Sequence, residues 1–433
     1  MKIGIIISRI GGEDGVALET EKWIEVFQRM GHEVFISAGK FEKDILVDKK
    51  YCKEIKSLFF GSGANEKERK RIFNGSLEDS KKILSEIDSE AEKIFEKLNE
   101  WIKENNLEVL VLENTNALPV HLPLAKAIKK IVKKTDIKII SHDHDFYWER
   151  EGKYVSESEE INNLVKELFP LNFPNVTHVV INSPSLKKLK DDFGMKAVYI
   201  PNVIDFEKPF GLKIEKNKDL PEKIGLKKDD IALFQVTRII RRKGIETALS
   251  LIKELDDKRV KLVITGTAKD DPGNLYYNEL KETIKKFKIK SQVIFAGDKF
   301  SSRYFFANYF YFDFLKNRYK TYTISDAYAN AIACTFFSKY EGFGNAFVEA
   351  IAAKKPIFVN DYEPSFWEDI GSKGFKVVMI KKGFLTKKAI REIKRIIHNE
   401  KLSQRIGEFN FELGKKYFSY EVLEKKLKEI LES

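Results

Sequence analysis

Residues Phe336–Asp361, FFSKYEGFGNAFVEAIAAKKPIFVND, decide how the chain reads. The apolar run Ala331–Phe337 predicts a buried strand, Asn345–Ala353 a helix and Pro356–Asn360 a second strand, one unit of a parallel α/β sheet. The loop between strand and helix carries Glu341-Gly342-Phe343-Gly344, and Glu349 follows inside the helix. Loops at the carboxyl ends of parallel strands receive ligands. Gly342 and Gly344 allow the backbone a close approach, and the free N–H groups at the helix start favour an anion. Carboxylates in the loop and helix accept bonds from vicinal hydroxyls, the donors that sugars and ribose present. The stretch therefore predicts a ligand that is both polyhydroxylated and negatively charged.

Glu341 and Glu349, with Gly342-Phe343-Gly344 between them, resemble the E-x7-E signature of retaining glycosyltransferases with the two-domain GT-B fold, the family 4 group. The resemblance implies that Glu341 contacts a donor sugar and Glu349 the ribose of its nucleotide. Gly342, Phe343, Gly344 and Asn345 would complete that face of the donor site.

The 433 residues suffice for two domains, each with its own core. A 43% hydrophobic composition argues against wholesale disorder. The formal net charge of +11 favours acidic partners such as nucleotides, phosphorylated metabolites or anionic lipid surfaces. Lys and Glu are interspersed, the mark of solvated helix faces. Cys52 and Cys334 imply no disulfide framework, and Cys334, in an apolar strand, reads as inert core. The run MKIGIIIS is too short for the apolar region of a signal peptide, and no apolar run reaches a membrane-spanning length. The expected location is the cytoplasm, with peripheral membrane contact and a homo-oligomer left open.

In the first half, Lys2–Ser8, a turn holding Gly11 and Gly12, a helix over Val16–Arg29 and a strand over Glu33–Ala38 form a βαβ unit. The turn lacks the G-x-G-x-x-G pattern, so a dinucleotide site is not indicated. The family often carries such a glycine pair near the donor diphosphate, and a plain tight turn explains it equally well. Residues 41–107 show helical periodicity, chiefly Ser76–Lys103, and no chemical motif. Strands at Glu108–Leu112, Ile137–Ile140, His178–Ile181 and Ala197–Ile200, separated by helices, extend a doubly wound sheet.

Directly after one of these strands stands Ser141-His142-Asp143-His144-Asp145-Phe146-Tyr147-Trp148-Glu149-Arg150. His-x-His without a further His/Cys set falls short of a metal site. Asp143-x-Asp145 matches the metal-holding DxD of the other large glycosyltransferase fold, which is a single domain without E-x7-E. Retaining GT-B enzymes often place a His here, near the donor sugar's 6-hydroxyl, and the resemblance assigns His142 to that role, with His144 in reserve. His144, Trp148 and Arg150 would then line the acceptor: Trp148 stacking on a sugar, Arg150 clamping an acid. Packing beneath the loop would account for the aromatics as well.

Pro201-Asn202-Val203-Ile204-Asp205 reads as a linker and is similar to the family's P-N-G-[VI]-D, with Val203 where Gly is usual. Beyond it, Ile231–Val236 predicts a strand and Ile245–Leu255 a helix. Arg238 and Lys243 between them have the spacing of the family's R-x4-K, which holds the donor diphosphate; Arg241 and Arg242 are expected to face solvent. Phe300–Thr321 is dense in aromatic residues and reads as packing or a partner contact, not as a nucleic-acid site. Helices from Lys387, Leu402 and Glu421 close the chain.

The fold expected is α/β, two Rossmann-like doubly wound domains (GT-B) facing across a cleft: residues 1–205 on the acceptor side, 206–416 binding the nucleotide sugar, and 417–433 crossing back. The function expected is metal-independent retaining transfer of a hexose from a nucleoside diphosphate sugar to a hydroxyl of a small-molecule, glycan or lipid acceptor. A nucleotide-sugar epimerase or phosphorylase on the same fold, or a non-catalytic sugar-nucleotide binder, is the alternative.

Overall fold

The computed structural model describes residues 1–12, 14–42, 45, 47–61, 63–75, 79–150, 152–301 and 321–433. They divide into two compact units, Met1–Pro201 with Leu423–Ser433, and Asn202–Val422. Most of the aromatic stretch expected to pack or to meet a partner, 302–320, lies outside the described residues.

The first unit runs β1 (Lys2–Ile10), α1 (Gly15–Arg29), β2 (Glu33–Phe41), β3 (Cys52–Glu54), α2 (Gly63–Asn74), α3 (Ser80–Asn105), β4 (Val109–Glu113), α4 (Leu122–Lys134), β5 (Lys138–Asp143), α5 (Glu159–Leu168), β6 (Val176–Val180), α6 (Ser183–Asp191) and β7 (Ala197–Tyr199). All seven strands pair in parallel in the order β3-β2-β1-β4-β5-β6-β7. The order reverses between β1 and β4, where doubly wound sheets open a crevice at the strands' carboxyl ends. β4 is wholly buried, so it reads as an unbroken apolar run with one acid, Glu113, at its carboxyl end. Asp14 caps α1 by accepting from the Ala17 N–H at 3.0 Å.

The helical periodicity expected chiefly over Ser76–Lys103 is met by one long helix, α3 (Ser80–Asn105), with α2 as a further helix ahead of it. α2 and α3 are separate, and α3 buries Ile83, Ile87, Ala91, Ile94, Leu98 and Trp101 along one stripe. Leu98, Trp101, Leu110, Leu112, Ile128 and Ile131 meet in the core between α3, α4 and the sheet. The sequence reading passed over α5, although its spacing of Ile161, Leu164, Val165 and Leu168 is helical and Ser158 caps it.

The second unit runs α7 (Leu220–Lys223), β8 (Ile231–Gln235), α8 (Ile245–Leu255), β9 (Val260–Ile264), α9 (Leu275–Phe287), β10 (Val293–Phe295), β11 (Phe300–Ser301), β12 (Tyr322–Thr323), α10 (Ile324–Asn330), β13 (Ala333–Phe336), β14 (Tyr340–Glu341), α11 (Asn345–Ala352), β15 (Ile357–Asp361), β16 (Glu363–Pro364), α12 (Phe366–Asp369), β17 (Val378–Lys381), α13 (Lys387–Ile397), α14 (Glu400–Phe418) and α15 (Tyr420–Glu432). Its main sheet is again wholly parallel, in the order β10-β9-β8-β13-β15-β17. β8 and β13 are neighbours at its centre, so the loops following them lie side by side. Cys334 is buried in β13, and burial pushes its thiol up to about 12, consistent with an inert core residue. α15 starts in the second unit at Tyr420, but from Leu423 onward it belongs to the first, where Lys138 Nζ donates to the carbonyls of Ile430 (3.2 Å) and Leu431 (2.8 Å).

Candidate active site

In the second unit, the loop after β8 makes a tight turn at Arg241–Lys243 and enters α8 through Gly244. Gly244 has φ 60°, and a Cβ on it would lie 2.0 Å from the Phe337 carbonyl oxygen. Only glycine lets this turn rest against the end of β13. Gln235 fixes the turn from below, donating to the Lys243 carbonyl at 2.8 Å while accepting from Thr335 Oγ1 at 3.1 Å.

This scaffold brings Lys243 and Glu341 together. Lys243 Nζ donates to Glu341 Oε1, and Arg242 Nη1 donates to Glu341 Oε2 at 2.7 Å and to the Tyr340 carbonyl at 2.9 Å. Burial alone would raise the Glu341 carboxyl, but the Lys243 and Arg242 charges hold it below its ordinary value. Burial lowers the Lys243 ammonium against the pull of Glu341, and the Arg242 and Arg238 charges add to that lowering. Arg242, expected to face solvent, does keep 39% of its side chain exposed, but its guanidinium turns onto Glu341. A single tight turn sends successive side chains in different directions, and Arg242 points to Glu341. Arg241 does face outward, pairing with Glu279 at 2.5 Å over the Tyr276 ring.

Arg238 is exposed and donates to Asp270 at 2.7 Å. Glu349 accepts from the buried Tyr328 hydroxyl at 2.8 Å. Asn345, the first residue of α11, accepts from Asn202 Nδ2 at 2.8 Å. Gly342 is half-buried and Phe343 buried. Gly344 has φ 131°, and a Cβ there would stand 2.3 Å from the Tyr362 hydroxyl. Tyr362 lies in the Asp361–Pro364 segment; its phenol donates to the Phe343 carbonyl at 2.5 Å. That buried phenol fixes the conformation of the loop, and sequence reasoning had not singled it out.

In the first unit, Gly11 (φ 75°) and Gly12 form a buried turn after β1, closed by an Arg9–Asp14 ion pair at 2.8 Å. His142, in β5, is paired in register with Glu113 of β4. His142 Nδ1 stands 3.0 Å from Glu113 Oε2, and His144 Nε2 stands 3.6 Å from the same oxygen. Trp23 of α1 stacks on His142 with centroids 4.0 Å apart and planes 21° apart. Burial alone would raise the Glu113 carboxyl, but the two imidazoles bring it down to about 2. For His144, burial lowers the pKa, and Glu113 overrides it and raises it. The three side chains place one carboxylate oxygen and two ring nitrogens within 4.8 Å of one another. Divalent ions such as zinc accept a donor set of this composition. The sequence reading missed Glu113 and Trp23; the available signal for Glu113 was a carboxylate ending an apolar parallel strand.

The residues assigned to the acceptor are held by neighbours. Trp148 is stacked between Phe146 (4.3 Å, 6°) and Phe193 (5.1 Å, 24°), as the packing alternative expects. Arg150 pairs with Asp145 at 3.0 Å and is exposed. Between them Glu149, largely desolvated and close to the Asp145 charge, is pushed up to about 7. No described helix is long and apolar enough to cross a membrane.

Two parallel α/β units, the second carrying a charged loop pair at the carboxyl ends of its central strands, define the GT-B class of fold. Comparison with known proteins agrees. The profile of the family described as "Glycosyl transferases group 1" matches residues 216–302 and 312–412. The chain is 31% identical over 455 residues to the mannosylglucosylglycerate synthase of Thermotoga maritima, covering 98% of both proteins. It is 29% identical over 399 residues to the mannosylglucosylglycerate synthase of Petrotoga mobilis, covering 88% of this chain and 86% of the relative. The crystal structure of Anabaena HepE in complex with UDP-glucose superposes with a TM-score of 0.65 at 13% identity, covering 100% of this chain and 99% of that one. The chain belongs to the group 1 glycosyl transferases, and it is an enzyme of glycosyl transfer.

Proposed function

We propose that this protein is a retaining, family 4 enzyme that transfers mannose from a nucleoside diphosphate sugar to a hydroxyl of glucosylglycerate, a small glycoside acid. The convergence of Lys243 and Arg242 on the Glu341 carboxylate carries the reading. It sets fixed positive charge beside an acceptor of sugar hydroxyls, at the ends of parallel strands where ligands bind. Lys243, Arg242 and the nearby Arg238 would neutralise charge growing on the departing diphosphate, a preorganised electrostatic effect. Glu341 would hold the sugar and Glu349 the ribose. Full-length similarity to two mannosylglucosylglycerate synthases supports the sugar and the acceptor, since that product joins mannose to glucosylglycerate. The Anabaena neighbour's UDP-glucose supports a nucleotide-sugar donor.

In this reading the bond from the anomeric carbon to the diphosphate oxygen breaks while the acceptor oxygen bonds on the same face. The leaving phosphate oxygen takes the acceptor's proton. His142 meets the sugar's 6-hydroxyl, and no metal is needed. Location in the cytoplasm fits substrates of this kind.

The test is transfer from a panel of nucleotide sugars to glucosylglycerate, with the product's anomeric configuration read by NMR. Mannosyl transfer with retention, reduced at least about 10²-fold by Glu341→Ala and by Lys243→Ala, is expected. Wild-type turnover in both variants, inversion, or epimerisation of the donor without acceptor would refute it.

A further inference from the structure

We infer that Glu113 is a positioning residue for the proposed transfer: it fixes the tautomer and the orientation of His142 so that Nε2 is the ring atom presented to the reacting sugar. The inference deepens the function proposed above and rests on it for the role of His142.

Glu113 closes β4 and is only 1% exposed. Its partner in the sheet register is His142 itself, so the two Cα atoms are held opposite each other by the ladder of parallel strands. The connection does not depend on a mobile loop. Glu113 Oε2 lies 3.0 Å from His142 Nδ1, a hydrogen-bonding distance. An ionised carboxylate offers only acceptors, so the hydrogen of that bond sits on Nδ1. Nε2 is then the remaining polar atom of the ring, free to exchange a hydrogen bond with a hydroxyl.

Three contacts keep the ring from turning. The carboxylate holds its edge, the Trp23 indole covers a face at 4.0 Å, and the His144 ring lies 4.3 Å away at 49°. A ring fixed in this way has its orientation set before substrate arrives, which is where preorganisation gains its rate. The other Glu113 oxygen, Oε1, is buried without a hydrogen-bond partner among the described residues. A buried, under-satisfied carboxylate costs stability. A simple core would fill this place with an apolar side chain, so the acid serves the histidine.

The experiment compares wild type, Glu113→Gln, Glu113→Asp and His142→Ala in the full chain. The ¹⁵N imidazole NMR spectrum reads the tautomer, and transfer kinetics read kcat and KM separately. The expected result is an Nδ1–H tautomer in the wild type that is lost in Glu113→Gln. With it kcat should fall roughly 10²-fold while KM for the nucleotide sugar moves less than about threefold. Glu113→Asp, which keeps the acceptor, should recover part of kcat. A Glu113→Gln enzyme with wild-type kcat, while His142→Ala is inactive, would overturn the inference and leave the proposed function standing. An active His142→Ala would overturn the inference together with the role given to His142, while the transfer itself would stand. Stoichiometric metal in the wild type that disappears in Glu113→Gln would make this a metal centre and overturn the inference.

Discussion

The pair Lys243–Glu341 offers a measurable test of how far one loop depends on the other. The perturbations are Lys243→Met, Glu341→Gln and the double variant. Their side chains are 13% and 10% exposed, so solvent screens their attraction little. Removing one partner of a buried pair leaves an uncompensated charge and costs about 3–5 kcal/mol. In Lys243→Met, Arg242 still donates to the carboxylate at 2.7 Å. The loss should therefore fall below that range, at roughly 2 kcal/mol. In Glu341→Gln, Lys243 remains buried beside Arg242 with no anion to balance either, and about 3 kcal/mol is expected. The double variant removes both charges, so its loss should be smaller than the sum by about 1–2 kcal/mol. Hydrogen exchange of the β8 and β13 amides against urea isolates the stability of this unit from that of the first. Losses that add to within about 0.5 kcal/mol would refute the coupling on which the site's geometry rests.

Two further outcomes follow from the loop and from the first unit. Gly344→Ala places a Cβ 2.3 Å from the Tyr362 hydroxyl at φ 131° and should cost about 2–4 kcal/mol, with partial recovery when Tyr362→Phe removes the oxygen; a thermal midpoint equal to wild type would contradict this. Glu149 has its folded pKa raised to about 7, so the folded state holds a proton there that the unfolded chain gives up near the ordinary carboxyl value. The stabilisation is full below that ordinary value and is lost as pH rises through about 7. Glu149→Gln should thus stabilise the protein more at pH 8 than at pH 5, measured by urea midpoints at both, and an equal effect at both would count against the shift.

The parts of the site that share a stretch of chain were legible in the sequence. The helix carrying Glu349 and the strand after it stand within about one residue of their expected bounds in α11 and β15, and the strand before the loop, β13, starts two residues late, because a buried parallel strand and an amphipathic helix leave distinct periodicities. Lys243 was found through its spacing from Arg238. Glu113 was not, because its importance arises from the alignment of β4 with β5, and nothing in the order of residues states which strands pair. The pairing of the half-exposed Arg242 with Glu341 was missed for a similar reason: the direction of a side chain on a tight turn depends on the neighbouring β13–β14 connection. Tyr362 drew no reading because its role arises from a contact across the loop, where its phenol donates to the Phe343 carbonyl.

The return of residues 423–433 to the first unit has a bearing on biosynthesis. Lys138, on β5, caps carbonyls that leave the ribosome 292 and 293 residues after it. The first half of the polypeptide must wait with that edge of its structure incomplete while some two hundred further residues are made, a period in which unfinished surfaces are prone to aggregate. Completion of the first unit is thereby tied to synthesis of α15, so that a product terminated before it would lack part of its earliest-made domain.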